Sequence, residues 1–137
     1  MSFPVTEIEA RLIKSGSVKL DSTGNGVVTL DPENARQRWE VTSVVVSTNQ
    51  SATATTVPVA TVAKNTAIAS QLSQGNNGGQ SWSGNQDTFA GKWEISPADY
   101  LSVIFAPPPG ATGGQIAALS GVMCYVTVTG TKYTRRA

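Results

Sequence analysis

Trp39-Glu40-Val41-Thr42-Ser43-Val44-Val45-Val46-Ser47-Thr48 is the most β-prone stretch of the chain. Its Val and Thr side chains are stiff at χ1 and sit well on a pleated surface. Near-continuous Val at 44–46 predicts a strand covered on both faces near its middle. Upstream, Asp31-Pro32-Glu33-Asn34 is a turn, with Pro fixing φ. Residues 17–30 read as a hairpin: Ser17–Leu20, the turn Asp21-Ser22-Thr23-Gly24-Asn25-Gly26, then Val27–Leu30. Before it, Glu7-Ile8-Glu9-Ala10-Arg11-Leu12 alternates apolar with charged residues, the signature of a strand with one dry face.

Downstream, Asn49–Thr56 is a small polar loop, and Val57–Ala63 resumes a strand. Pro58 cannot donate to a ladder, so that strand is expected at an edge or starting at the proline. Lys64–Leu72 fits either a strand or one or two helical turns. Gln74–Asp87 is a Gly/Asn/Gln/Ser loop with Trp82 embedded in it. Phe89–Ile95 and Tyr100–Ala106 are further strands, separated by the turn Ser96-Pro97-Ala98-Asp99. Pro107–Pro109 is a stiff segment, and Gly110–Gly114 a flexible one. Gly121–Thr129 is the last strand, followed by a short basic tail. No segment keeps a helical period. The pattern predicts an all-β fold, a β-sandwich or jelly roll of about eight mainly antiparallel strands. One domain is expected: an arm and first strand over 1–16, the sandwich proper over 17–131, and a tail over 132–137.

Composition narrows the function. The 137 residues include 10 Lys and Arg, 9 Asp and Glu, no His and one Cys. Charged residues make up 14%, and 16 Thr, 14 Ser, 7 Asn, 7 Gln and 13 Gly take their place. Without His there is no Ser-His-Asp triad, Cys-His dyad or His-ligated metal. One Cys makes no internal disulfide or zinc cluster. A net charge of +1 gives no electrostatic case for nucleic acid. No apolar run approaches the roughly 20 residues that span a bilayer, and Met1-Ser2-Phe3-Pro4 lacks a secretory signal's basic start. The expectation is a non-enzymatic module with no cofactor, no metal and no membrane.

The residues that invite chemistry have simpler readings. Asp21, Asp31, Asp87 and Asp99 all fall in turn sequences, where Asp caps backbone N–H groups. A glycosidase-like carboxylate pair is the alternative, and no spacing suggests it. Asp21–Gly26 resembles the start of a calcium loop, but the twelfth position is Pro32 where a bidentate Glu is needed. Cys124, beside Met123 in an apolar strand, reads as a buried inert thiol. Asn49-Gln50-Ser51 matches a glycosylation sequon and carries little weight in so Ser-rich a chain.

Trp39 and Trp93 belong to strands and are expected in the core. Trp82 has no local core to join, so it packs back onto the fold, onto a partner, or onto a sugar. The contact candidates are Phe3 and Pro4 in the N-terminal arm, Trp82, and Pro107, Pro108 and Pro109, since Pro-rich segments lose little entropy on docking.

The order of motifs carries a resemblance. "VTLDP" leads into "RWEVTSVVVST", then "VPVATV", "SGNQDTF", "ISPADYLSVIFA" and "GATGGQIAALSGVMCYVTVTGT". Over about Ser17–Thr131 this resembles the small β-sandwich proteins among the virion structural genes of tailed phages, particularly phages of actinobacteria. The resemblance implies a virion structural protein on the particle exterior, a head decoration protein that stabilises the capsid lattice, with minor tail, fibre or baseplate proteins as the alternative. Its implied partners are the major capsid protein or other virion proteins. It implies a homo-oligomer, a trimer among the options, and carries over no catalytic residue. A carbohydrate-binding module using Trp82 is the third reading.

Overall fold

The computed structural model describes residues 7–51, 54, 56–65, 67–71 and 86–136. Eight strands and one short helix are found among them: β1 (Glu7–Lys19), β2 (Gly26–Leu30), β3 (Gln37–Thr48), β4 (Val59–Lys64), β5 (Ala67–Gln71), β6 (Gln86–Ile95), β7 (Leu101–Ala106), α1 (Gly113–Leu119) and β8 (Met123–Arg135). Two four-stranded sheets form, ordered β1-β8-β3-β6 and β2-β7-β4-β5, and every pairing is antiparallel. Sheet orders 1-8-3-6 and 2-7-4-5 are those of a double-sheet jelly roll, the closure expected from the sequence.

The inward side chains of both sheets form one core. Trp39, Val41, Val44, Val46, Val62, Phe105, Val126 and Val128 are fully buried in it. Trp93 lies half-buried against the core and covers Gly91, where a Cβ would come within 2.8 Å of the indole. In β3 the alternation skips one residue between Val41 and Ser43, where the register shifts against both neighbours. This bulge lets Trp39 and Val41 on one side of it, and Val44 and Val46 on the other, share the inner face.

Four expectations need correction. Residues 17–30 are not a hairpin: β1 pairs with β8 and β2 with β7, so the Gly-rich turn carries the chain from one sheet to the other. Turn chemistry dictates reversal of direction, not which strand becomes the neighbour. Val45 is only half-buried, because its side of β3 is the outer face of the first sheet; β4 is the strand buried along both faces, from Val59 to Ala63. Asp87 is not in a turn but in β6, opposite Val46. Gly113 and Gly114, read as part of a flexible segment, open α1. That helix is nucleated by Thr112, whose hydroxyl accepts from the Gln115 N–H at 3.2 Å while the Gln115 side chain accepts from the Thr112 N–H at 2.8 Å.

The Lys64–Leu72 ambiguity resolves as strand, since β5 pairs with β4 through Gln71. Pro58 immediately precedes β4, which is an interior strand, so it is the start-of-strand expectation that holds. Residues 132–135 complete β8.

Candidate interaction surface

A jelly roll has two ends, and the strand registers sort the candidates between them. At one end lie the turns β1–β2, β3–β4 and β7–β8; β5 finishes and β6 begins there too. At the other end lie β2–β3, β4–β5 and β6–β7. Pro107, Pro108 and Pro109 follow β7 at the first end. Trp82 lies outside the described residues, but its segment leaves from Gln71 and returns at Gln86, both at that end. Phe3 and Pro4 also lie outside the described residues. They precede Glu7, which begins β1 opposite Arg135 at the far end. Glu7 itself lies at the opposite end from the prolines.

The first end is knit together by short polar links. Asp21 Oδ1 accepts from the Thr23 and Asn25 N–H groups and the Thr23 hydroxyl; the Thr23 bond is the main reason its carboxyl is held below the usual range. Among the described residues that carboxylate bonds only within its own turn. Gly24, at φ 78°, presses this turn against Pro107 and Leu119: a Cβ there would come within 2.9 Å of the Pro107 ring. Pro107 is thus half-buried and structural, whereas Pro109 is exposed. Pro109 and Gly110 (φ 77°) form a β-turn closed by the Ala111 N–H donating to the Pro108 carbonyl at 3.0 Å. Asn49 ties the end of β3 to the start of β8: its N–H donates to the Met123 carbonyl, and its side-chain oxygen accepts from the Met123 N–H, both at 3.1 Å.

Charge is segregated along the sandwich. Of the nineteen charged residues, Lys19, Asp21 and Asp87 lie at the loop end and Lys14 just past the middle of β1 toward it; the other fifteen lie in the opposite half. There the Arg38 guanidinium stacks 4.1 Å over the Tyr133 ring and forks onto both Glu7 oxygens at 3.0 Å, with Glu94 at 3.7 Å on its other side. One side chain so links all four strands of the first sheet. Hydrogen bonding to Arg38 holds the Glu7 carboxyl below its usual range, and Glu7 in turn raises Arg38. Glu33 faces Lys14 at 3.3 Å and Lys132 at 4.0 Å.

The outer face of the first sheet toward the loop end presents hydroxyls: Ser15, Ser17, Tyr125 and Thr127 line a shallow groove, with Ser15 and Thr127 in contact at 3.3 Å. Among the described residues no three His, Cys, Asp or Glu converge as a metal would need. Cys124 is fully buried, and burial pushes its thiol up to about 12.

Asp99 makes the far end pH-sensitive. It accepts from the Asn65 side chain at 2.9 Å and from the Ser96 hydroxyl, and it faces Lys64 at 3.5 Å; the Asn65 bond first, then Ser96, bring its pKa to about 2 from an ordinary 3.8. Depression on folding means its stabilising contribution is complete above about pH 4 and is lost as pH falls toward 2. Asp99→Asn is expected to lower Tm at pH 7, with the gap to wild type closing between pH 4 and 2 in thermal melts. A gap independent of pH would show that the charge plays no part.

The fold and surface define the class: an eight-stranded jelly roll with an apolar core, one charge-rich end and one charge-poor, hydroxyl- and glycine-rich end. No family model matches the chain, and no curated protein matches it. Among solved structures it is similar to a chain described as "Acidic stable capsid structure of Helicobacter pylori bacteriophage KHP30", at 12% identity and a TM-score of 0.47, over 94% of this chain and 93% of that one.

Proposed function

We propose that this jelly roll is a virion structural protein, an external head decoration protein that docks on the capsid lattice through its charge-poor loop end. The observation that carries the reading is the charge segregation. Interface cores are depleted of charged residues, because each buried charge must be desolvated or paired. The loop end contributes Lys19, Asp21 and Asp87, and the Asp21 carboxylate is already engaged within its own turn. Pro109, Gly110, Gly113 and Gly114 stand exposed there on a base fixed by Pro107 and Leu119. Preordered elements of this kind lose little entropy on docking. The motif resemblance to tailed-phage β-sandwich proteins points the same way, and repetition over a lattice would multiply weak contacts. The work is mechanical, with no catalytic step.

Mass spectrometry of purified particles of the encoding virus tests this. The chain should be present in capsomer-scale copy number, and purified protein should bind expanded heads that lack it. Absence from particles together with no head binding would sink the proposal; gold labelling confined to the tail would move the protein to the tail. Pro109→Asp, which places a charge at the apex without touching the core, is expected to weaken head binding about tenfold or more. Unchanged binding would mean that another face docks.

A further inference from the structure

The large hydrophobic side chains left exposed among the described residues are Ile8, Ile13, Val27 and Tyr125. They lie at or beside the β1/β2 edge but on different faces: Ile13 and Tyr125 on the outer face of the first sheet, Ile8 on the face of Leu12, and Val27 on the outer face of the second sheet. Ile8 and Ile13 are on β1 and Val27 is on β2, the edge strands of their respective sheets; Tyr125 on β8 sits opposite Ser17 of β1. The opposite edge of the first sheet, β6, instead exposes Thr88, Lys92 and Glu94. β1 is thirteen residues long and pairs only with β8, so its other side is an open row of backbone donors and acceptors among the described residues.

The sequence of β1 is self-complementary when set against a copy running the other way. Across a twofold axis perpendicular to the sheet, opposed residues share a face. In the register that overlaps the whole strand, Ile13 meets its own copy, Ile8 meets Val18, Glu9 meets Ser17, Arg11 meets Ser15, and Glu7 meets Lys19 at both ends. No like charges are opposed. Every other register loses both Glu7–Lys19 pairs, and those centred on Lys14 or Arg11 also set that residue against its own copy. Lys14 is the inward-facing charge that would block an edge, but it is held by Glu33 of its own chain at 3.3 Å.

We propose that two copies of this chain pair through the β1 edge, forming one continuous eight-stranded sheet with Ile13 on the twofold axis. Ile13, 56% exposed in the single chain, would then be covered by its copy. This interface lies along the side of the sandwich and leaves the loop end free, and it does not rest on the virion reading.

Sedimentation equilibrium of the full chain should show a reversible dimer that weakens in high salt. Ile13→Lys opposes two charges at the axis and should weaken association about tenfold or more, with an unchanged far-UV spectrum. Ile13→Cys should form a disulfide-linked dimer under mild oxidation, because directly opposed residues lie about 4.5–5.5 Å apart at Cα, inside the disulfide range. Lys92→Cys on β6 should not. A monomer at about 100 µM, a trimer, or a dimer that Ile13→Lys leaves intact and Ile13→Cys does not cross-link would overturn the proposal.

Discussion

Trp39→Ala is expected to destabilise the protein by about 3–5 kcal/mol, and urea titration should show the midpoint falling with little change in slope. The indole is fully buried at the centre of the core and is the largest side chain there. Its removal loses the transfer free energy of the ring and leaves a cavity that two hydrogen-bonded sheets cannot close over. It also loses the Nε1–H bond to the Gln37 side-chain oxygen, 2.9 Å long, inside a pocket where Gln37 itself is only 4% exposed. Gln37 keeps the Glu33 N–H as donor, so it is not orphaned and the cavity dominates. For a chain of this size the loss corresponds to a Tm drop of roughly 10–20 °C. Trp39→Phe separates the two terms: it keeps most of the volume and is expected to cost about 1–2 kcal/mol. Equal losses for Phe and Ala would show that the hydrogen bond, not the packing, is what the site depends on.

That Trp39 is central was legible from its own sequence. A tryptophan within a run of β-branched residues at period 2 has one economical place to be, and Trp39 is fully buried there. Which strands are neighbours was not legible locally. Asp21–Gly26 has every feature of a hairpin turn, yet its flanking strands enter different sheets, because a jelly roll closes through pairings between distant segments: β1 with β8, β2 with β7. Outward Val45 and doubly covered β4 were misjudged for a related reason. A run of valines gives β propensity, but what lies over a face is decided by remote elements. The capping box of α1 was present in the sequence as Thr112-Gly113-Gly114-Gln115 and was hidden by its two glycines, the poorest helix formers after proline.

The candidate surface was legible in composition more than in position. Scarcity of charge can be counted, but its gathering into one half requires the fold to bring Glu33 of the β2–β3 turn beside Lys132 of β8, and Glu7 beside Arg38. Pro107 looked like part of an exposed contact loop and proved to be a wedge against Gly24; only Pro109, two residues on, faces solvent. The exposed side chains of the β1 edge gave no signal at all. Ile13 in an alternating strand looks like any other apolar residue until the register shows that it faces outward.

Gly130→Ala is expected to cost about 3 kcal/mol or more, although it adds a single methyl group to a position without unusual φ. Gly130 lies opposite both Leu12 and Val41, at the point where β3 bulges between Val41 and Ser43. A Cβ on Gly130 would overlap the Glu40 carbonyl oxygen and crowd the Val41 Cα, at 3.0 Å. Both are backbone, fixed in a ladder, so no rotamer change relieves the clash. Relief would mean flattening the bulge, and the alternation of β3 would then slip by one residue. Trp39 and Val41, or else Val44 and Val46, would be turned from the core face to the outer face. The effect should therefore exceed the local clash and appear as loss of cooperativity as well as a lower midpoint. Gly113→Ala is the control of opposite sign. Nothing lies within 4 Å of a Cβ there, and the residue is in the first turn of α1, so the substitution should stabilise by a few tenths of a kcal/mol through helix propensity. If the two substitutions shifted the urea midpoint equally, the β-bulge would not be what fixes the register of the core.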